Sequence, residues 1–165
     1  MKTIRETLKI NSTEYSVTFH DITEQVQDIV MRSGIQNGIS VVYSHHTTCS
    51  VMMQECSFDL TYTGKEYLQQ DLLDIFESVI PTCRKEGQYM HPGPLLTEFA
   101  AQHDEGKPQT LNTDGHLRSV FLGRNETIVV ADGEMDLGQF GHIYFIDFDH
   151  TCTKERTVQV QVMGE

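Results

Sequence analysis

The sequence predicts an α+β fold in which strands dominate and the helices are clustered between two groups of strands. Apolar residues recur at every second position near the amino terminus, and again alternate or run together through the last third of the chain, as in strands with a buried face. Between these regions, apolar residues recur at intervals of three and four, which is typical of amphipathic helices. With 165 residues and no internal repeat or linker, the chain is predicted to form one domain, 1–165.

The chain begins with a predicted β-hairpin. Residues 4–10 alternate apolar and polar side chains, and residues 15–19 repeat the pattern after an Asn11-Ser12 turn. A helix is predicted next, because Thr23 can cap its amino terminus and Gly34 can end it.

The middle of the chain carries a predicted long strand and a second helix. Residues 39–53 are rich in Val, Ser and Thr and include His45 and His46. If this strand is continuous, its two histidines lie on opposite faces. The second helix is predicted over 64–80, where apolar residues line one side before Pro81.

Residues 84–111 form the least regular part of the sequence, since glycines and prolines interrupt it on both sides of a short helix predicted at 95–101. A loop of this length in a compact domain is usually functional or mobile. One or two helical turns are predicted at 115–121. The remaining strands are predicted at 126–130, 142–147 and 156–162, joined by turns at Asp132-Gly133 and Leu137-Gly138.

The charge balance excludes some classes of function. The formal net charge is −12, with 24 acidic and 12 basic residues, and no cluster of Lys or Arg offsets it, so nucleic-acid binding is disfavoured. No apolar run reaches the length of about 20 residues that spans a bilayer. Because the charged residues after Met1 are not followed by an apolar stretch, we expect no signal peptide. We therefore expect no membrane partner, a cytoplasmic location, and reduced thiols at the four cysteines.

Two histidine-bearing segments carry the candidate chemistry. The first runs from Ser44 to Cys49 and contains His46 and Thr47, with Glu55 further along the chain. Imidazole beside hydroxyl and carboxylate groups can bind a metal, hold an anion or move a proton. The alternative is that these residues only fill a strand, for which the spacing alone is typical.

The second segment places Asn112, Asp114 and His116 at the start of predicted helical turns. Backbone N–H groups at a helix amino terminus favour anions. The alternative is that Asn112 or Asp114 caps the helix and His116 is a surface residue. Arg118 could supply a positive charge to an anion, or could be an ordinary surface residue.

A divalent metal is a further alternative. A zinc centre uses three protein ligands and a water molecule, and His46, His91 and His116 could provide three imidazoles, although they lack a short ligand spacing. His142 and His150 are other candidates. The metal, zinc or magnesium, is an expectation that competes with plain acid–base roles for the same histidines.

These motifs resemble the YjbQ-like family, whose members are often named secondary thiamine-phosphate synthase enzymes. The resemblance covers most of the chain, with its motifs in one order. In the first half it rests on Phe19–Val26, Ser33-Gly34-Ile35, Gly38, His46-Thr47-Thr48-Cys49, Gln54-Glu55 and Asp71. In the second half it rests on Tyr89, His91, Asn112, Asp114, His116, Leu117, Arg118, Ser119, Leu122, Gly123, Gly133, Leu137, Gly138, Ile143 and Asp147.

The resemblance implies a β-rich sandwich with two main helices that forms the subunit of a homotrimer. It also implies a polar pocket and an activity that joins a pyrimidine pyrophosphate to a thiazole phosphate, giving thiamine phosphate. A divalent cation would neutralise the leaving pyrophosphate.

The hypothesis is a metal-assisted enzyme acting on a small, phosphorylated molecule. In it, His46 and His116 bind metal or transfer protons, Glu55 and Asp114 orient them or act as base, and Thr47 with Arg118 contacts the anion.

The alternative hypothesis is a non-catalytic trimer that binds a metabolite or a metal. It is favoured by a departure from the family pattern, because Gly138-Gln139-Phe140-Gly141 replaces Gly-Thr-Trp-Gln and lacks the indole.

Overall fold

The fold consists of two antiparallel sheets and four helices within the part of the chain that the structure, a computed structural model, describes: residues 1–12, 15–103 and 110–165. The strands are β1 (Lys2–Ser12), β2 (Thr18–Asp21), β3 (Gly38–Tyr43), β4 (Cys49–Glu55), β5 (Asn125–Ala131), β6 (Glu134–Met135), β7 (Gly141–Asp147) and β8 (Lys154–Gly164). The helices are α1 (Thr23–Ser33), α2 (Tyr67–Val79), α3 (Pro94–Gln102) and α4 (Thr113–Leu122). The α+β prediction is confirmed.

The main core lies between the two sheets. The larger sheet has the order β1-β8-β3-β5-β6 and the smaller sheet the order β2-β7-β4. Side chains from both sheets, such as Val160 of β8 and Phe145 of β7, pack in one cluster with Ile29 of α1. A second cluster, which includes Tyr144 and Phe76, covers the other face of the smaller sheet with α2. The result is a sandwich in which α1 packs into the core between the sheets and α2 covers the outer face of the smaller sheet.

The predicted amino-terminal hairpin is wrong. β1 continues through Asn11 and Ser12 and pairs along its whole length with β8, with Leu8 opposite Val158. β2 pairs instead with β7 in the smaller sheet. Both segments have the alternation of strands, but alternation identifies a strand and not its partner.

The predicted long strand over 39–53 is also wrong, because it is two strands in different sheets. β3 belongs to the larger sheet and β4 to the smaller one. Residues 44–48, which we call the crossing loop, connect them. The loop is held by hydrogen bonds from the Ser44 backbone N–H to the Arg124 carbonyl and from the Cys49 N–H to the His46 carbonyl. His45 and His46 therefore lie in a loop between sheets.

The helices begin and end close to where the sequence predicts. Gly34 ends α1 with a φ of 67°, a conformation that glycine adopts without steric cost. Thr23 is the first helical residue and not its cap, since the Asp21 carboxylate accepts hydrogen bonds from its N–H and hydroxyl. Within the described ranges, none of the helices has the length and apolarity needed to span a membrane.

Candidate functional site

A polar cavity of about 430 Å³ lies where the crossing loop meets the amino terminus of α4 and the beginning of β8. It brings together four of the residues predicted for the site, His46, Thr47, His91 and His116, although they come from separate parts of the sequence. The full lining consists of His45, His46, Thr47, Thr48, His91, Leu96, Thr110, Asn112, His116, Asp149, Lys154 and Arg156. We call this space the histidine cavity.

His46 is fastened to β8 by its ring. Its Nε2 accepts a hydrogen bond from the Thr157 backbone N–H at 2.9 Å and lies 3.2 Å from the Thr157 hydroxyl. The neutral ring therefore carries its proton on Nδ1. Burial lowers the pKa of His46, and the nearby charges of Arg156 and His45 lower it further. His46 is thus a neutral side chain whose Nε2 is already engaged.

His116 lies on the first turns of α4 and faces His91 edge to face, with 5.4 Å between the ring centres. Burial is the main cause that lowers the pKa of His116, and the neighbouring His91 adds to it, while a hydrogen bond with the Thr47 backbone acts in the opposite direction. A neutral imidazole near physiological pH can accept a proton. The backbone around His91 is itself tied to α4, since the Thr113 hydroxyl donates to the His91 carbonyl at 2.7 Å.

Arg156 supplies a buried cation at the cavity wall. Its side chain is 7% exposed, and its Nε and Nη2 donate to the two oxygens of the fully buried Asp147 at 2.7 and 2.9 Å. Nη2 also lies 3.3 Å from the Thr48 hydroxyl and 3.4 Å from Asp149 Oδ2. This paired, two-pronged geometry fixes the guanidinium.

A second cation, Lys154, lies beside a buried carboxylate. Its Nζ is 3.2 Å from Asp149 Oδ2, the same oxygen that accepts a hydrogen bond from Asn112 Nδ2 at 3.3 Å. Asn112 occupies the N-cap position of α4, yet its side chain makes no capping hydrogen bond. The interpretation that Asn112 only caps the helix is therefore wrong.

Sequence reasoning missed Lys154 and Arg156 as site residues, and it considered the run from Asp147 to His150, which contains Asp149, only as a further source of carboxylate and imidazole. For Arg156 a signal was present, because it continues the even-numbered face of β8 on which Val158 and Val160 are buried. An arginine on the buried face of a strand needs a buried partner.

Asp114 lies behind the cavity and does not line it. It is fully buried, and its Oδ1 accepts a hydrogen bond from the Cys83 N–H at 3.1 Å and lies 3.4 Å from His150 Nε2. This contact raises the pKa of His150 and outweighs its burial. Asp114 thus orients His150, and not His116 as predicted.

Arg118 lies outside the cavity. Its guanidinium donates to the Ile80 carbonyl from Nε and Nη2, to Glu77 and to the Thr82 hydroxyl, all at the carboxyl end of α2. The structure therefore gives its predicted contact with an anion no support. Among the described residues, Arg156 and Lys154 are the lysine and arginine side chains that line the cavity.

Glu55 and His142 also lie away from the cavity. Glu55 is exposed at the end of β4, opposite Gly141. His142 is on β7 in the same sheet, where its Nδ1 lies 2.6 Å from Asp21 Oδ2. The geometry gives Glu55 no part in the chemistry of the histidine cavity.

The histidines of the cavity do not fit the metal centre predicted from His46, His91 and His116. The described residues contain no group of three or more His, Cys, Asp or Glu side chains arranged to hold a metal ion. In particular, the Nε2 of His46 is occupied by the Thr157 N–H.

A family model covers almost the whole chain and shows its family. A model described as UPF0047 protein YjbQ-like matches residues 6–165. The chain belongs to this family.

Other members of the YjbQ-like family match over nearly their whole length. A UPF0047 protein of Methanothermobacter thermautotrophicus is 29% identical over 153 residues, which cover 93% of this chain and 87% of the relative. The UPF0047 protein YugU of Bacillus subtilis is 26% identical over 159 residues, which cover 96% of this chain and 98% of the relative.

Solved structures share the fold. A YbjQ-like protein of unknown function from Sulfolobus solfataricus superposes with a TM-score of 0.75 at 23% identity, covering 99% of both chains. A hypothetical protein from Aeropyrum pernix gives a TM-score of 0.71 at 26% identity, covering 100% of both. The predicted YjbQ-like sandwich is confirmed.

The departure from the YjbQ-like pattern at 138–141 lies away from the cavity. Gln139 and Phe140 are in the turn that leads into β7, and neither lines the histidine cavity. The Phe140 backbone carbonyl accepts a hydrogen bond from the Cys56 N–H. The missing indole therefore leaves the cavity wall unchanged.

Proposed function

We propose that this protein is a small-molecule enzyme that uses the histidine cavity for proton transfer, with His116 as the general base. The observation that carries this proposal is the pairing of His116 with His91 in a cavity of about 430 Å³. Burial and His91 keep His116 neutral, and a neutral imidazole is the form that accepts a proton. His46 acts as a positioning residue through Thr157, and Thr47 contributes to the wall.

The reaction implied by the family resemblance is the formation of thiamine phosphate from a pyrimidine pyrophosphate and a thiazole phosphate. We propose it as the first reaction to assay. The thiazole nitrogen, which carries no proton, attacks the methylene carbon of the pyrimidine as the bond from that carbon to the pyrophosphate oxygen breaks. The proton that neutral His116 accepts comes from the exocyclic amine of the pyrimidine, which helps to expel pyrophosphate, and it returns to that amine once the new carbon–nitrogen bond has formed. The leaving pyrophosphate needs positive charge nearby. Arg156 and Lys154 suit the single phosphate of the thiazole substrate, whereas their buried carboxylate partners leave them without net positive charge for the pyrophosphate.

The test compares His116→Gln with His142→Gln. Both replace a partly exposed histidine, but only His116 lines the cavity. Thiamine phosphate is measured by chromatography after incubation of each protein with the two substrates. We expect a loss of turnover on the order of a hundredfold in His116→Gln and no change in His142→Gln. Equal turnover in the two variants would remove His116 from the mechanism.

A non-catalytic binding protein is the second candidate, favoured by the engaged Nε2 of His46 and by the ion pairs that fix Arg156. Side chains of the cavity wall that are held by such contacts can bind a ligand without taking part in a reaction. Stoichiometric binding by a wild type that shows no turnover of the two substrates would favour it. The divalent metal stays a prediction, which metal analysis by mass spectrometry of protein purified without a histidine tag tests directly.

We also propose the homotrimer that the resemblance implies. Exposed apolar side chains on α4 support self-association: Leu117, Val120 and Phe121 are 43%, 78% and 76% exposed. Side chains of this kind on one surface are typical of protein interfaces. Sedimentation should give three times the chain mass of 18.8 kDa, and a monomer would contradict the proposal.

A cytoplasmic location is the last part of the proposal. It is supported by the four cysteines, all of which are unpaired thiols in the structure, since disulfides are rare in the cytosol. Cell fractionation followed by immunoblotting tests it, and recovery in a secreted fraction would contradict it.

A further inference from the structure

We propose that Arg156 and Lys154 form a subsite of the histidine cavity that binds one small anionic group, a carboxylate or a phosphate. The inference rests on the proposed function, because it names the ligand class that the same cavity takes. It replaces Arg118, which the sequence pointed to and which the fold uses elsewhere.

Arg156 has donor capacity left at the cavity wall. The residue is 6% exposed, and its ion pair with Asp147 uses Nε and Nη2. The described residues give Nη1 no hydrogen-bond partner, while Arg156 lines the cavity. Because the ion pair with Asp147 already orders this guanidinium, a ligand oxygen that accepts from it needs little further ordering of the side chain.

Lys154 and the amino terminus of α4 add positive potential at the same place. The Lys154 side chain is 38% exposed, so its ammonium can turn toward a ligand and keep its contact with Asp149. Asn112, at the N-cap of α4, gives its amide to Asp149 and does not cap the helix. The helix terminus next to the cavity therefore has no side-chain cap, while Asp114 in its first turn offsets part of its positive charge.

The charges limit the ligand to one anionic group. The two cations are offset by two buried carboxylates, Asp147 and Asp149, in a chain with a formal charge of −12. A pyrophosphate would bring several negative charges into a wall that has no net positive charge. A single carboxylate or phosphate fits, because the remaining donors can each meet one of its oxygens.

The test is calorimetric titration of the wild-type protein with inorganic phosphate, acetate and pyrophosphate. We expect phosphate or acetate to bind in the millimolar range and pyrophosphate to bind more weakly than the better of the two. The stronger single anion identifies the headgroup as a phosphate or a carboxylate. Tighter binding of pyrophosphate, or no binding of either single anion, would overturn the proposal.

Two variants should change the affinity in opposite directions. Lys154→Gln removes a cation and should weaken binding on the order of tenfold, whereas Asp149→Asn removes a competing carboxylate and should tighten it by a similar factor. The matched control is Lys9→Gln, since Lys9 forms a comparable pair with Glu155 at 3.1 Å outside the cavity. It should leave the affinity unchanged.

The outcomes separate this proposal from the proposed function. Unchanged affinity in Lys154→Gln would sink the subsite, even if Asp149→Asn fails to fold, because the Lys154 side chain is partly exposed and its loss leaves the core intact. If neither phosphate nor acetate binds but His116→Gln still abolishes turnover, the subsite is wrong and the enzyme assignment stands. If phosphate binds as described and His116→Gln keeps full turnover, only the enzyme assignment fails.

Discussion

Replacing Arg118 by methionine should destabilise the fold strongly, because the structure uses this buried cation to hold α2 against α4. Arg118 is 2% exposed. It donates twice to the Ile80 carbonyl, at 3.2 and 2.8 Å, and once each to Glu77 and Thr82. Its Nη1 lies 3.6 Å from Oδ2 of the fully buried Asp114, an oxygen that has no hydrogen-bond partner in the described residues.

The magnitude follows from what the substitution leaves behind. Removing one partner of a buried ion pair costs about 3–5 kcal/mol, since the other charge stays buried. The lost donors to Ile80 act in the same direction, but the half-exposed Glu77 adds little because solvent screens it. We expect the free energy of unfolding of Arg118→Met to fall by about 3–5 kcal/mol.

The assay is urea unfolding followed by far-ultraviolet circular dichroism, since the chain has no tryptophan. The control is Arg84→Met, because Arg84 also pairs with Glu77, at 3.4 Å, but its side chain is 74% exposed. This control should lose less than about 1 kcal/mol. The reasoning is refuted if Arg118→Met is no less stable than Arg84→Met.

Three other predictions concern ionisable groups. The Thr82 hydroxyl is the main cause that lowers the pKa of Glu77 to about 2 from its ordinary 4.5. The stability that depends on this carboxylate is thus present above pH 4.5 and lost as the pH falls toward 2. Urea midpoints of wild type and Glu77→Gln should therefore converge in acid, and a constant gap would contradict this. The lowered pKa of His116 predicts that its imidazole titrates by NMR with a midpoint below 6.5. The stability that depends on neutral His116 is present above pH 6.5 and is lost as the pH falls below 6.5. A midpoint above 6.5 would refute the claim that His116 is held neutral. Tyr144→Phe removes a donor 2.6 Å from buried Glu66 and should cost about 1–3 kcal/mol by thermal unfolding, while a neutral effect would mean that Glu66 finds another donor.

The elements of this fold could be predicted from local sequence, but their partners could not. Alternation in β8 and helical spacing in α2 are local properties, and both elements lie where the sequence predicts them. The pairing of β1 with β8 joins residues at opposite ends of the chain, with Ile4 opposite Val162. The alternation of β1 is compatible with either β2 or β8 as its partner, and the predicted hairpin chose the wrong one.

The candidate site was predictable only in part. His46 and His116 stand out in the sequence because they lie beside hydroxyl, amide or carboxylate side chains, and His91 because it lies in the irregular segment at 84–111. The structure places all three around one cavity. The roles of Asp114 and Arg118 depend on which side of α4 faces α2, and this packing is not visible in a ten-residue helix that is polar on several sides. The spacing of His46 and His116 in the sequence does not show which side of α4 faces α2.

The role of Arg156 depends on a contact between the two sheets, which the local sequence does not show. Its partner Asp147 is the last residue of β7, a mostly apolar strand of the smaller sheet. The packing of the two sheets brings Arg156 Nε to 2.7 Å from Asp147 Oδ2. The irregular segment predicted over 84–111 to be functional or mobile lies only partly within the described residues, since residues 104–109 are outside them. Residues 91, 96 and 110, on either side of that gap, do line the cavity.

The measurement that tests the central claim most directly is the pH dependence of kcat/KM for thiamine phosphate formation, in wild type and in His116→Gln. We predict that the wild-type value rises with pH through a midpoint below 6.5, as His116 loses its proton. The variant should lack this rise and His142→Gln should keep it. An unchanged profile in His116→Gln would show that the proton is moved by another group, and the claim that His116 is the base would be wrong.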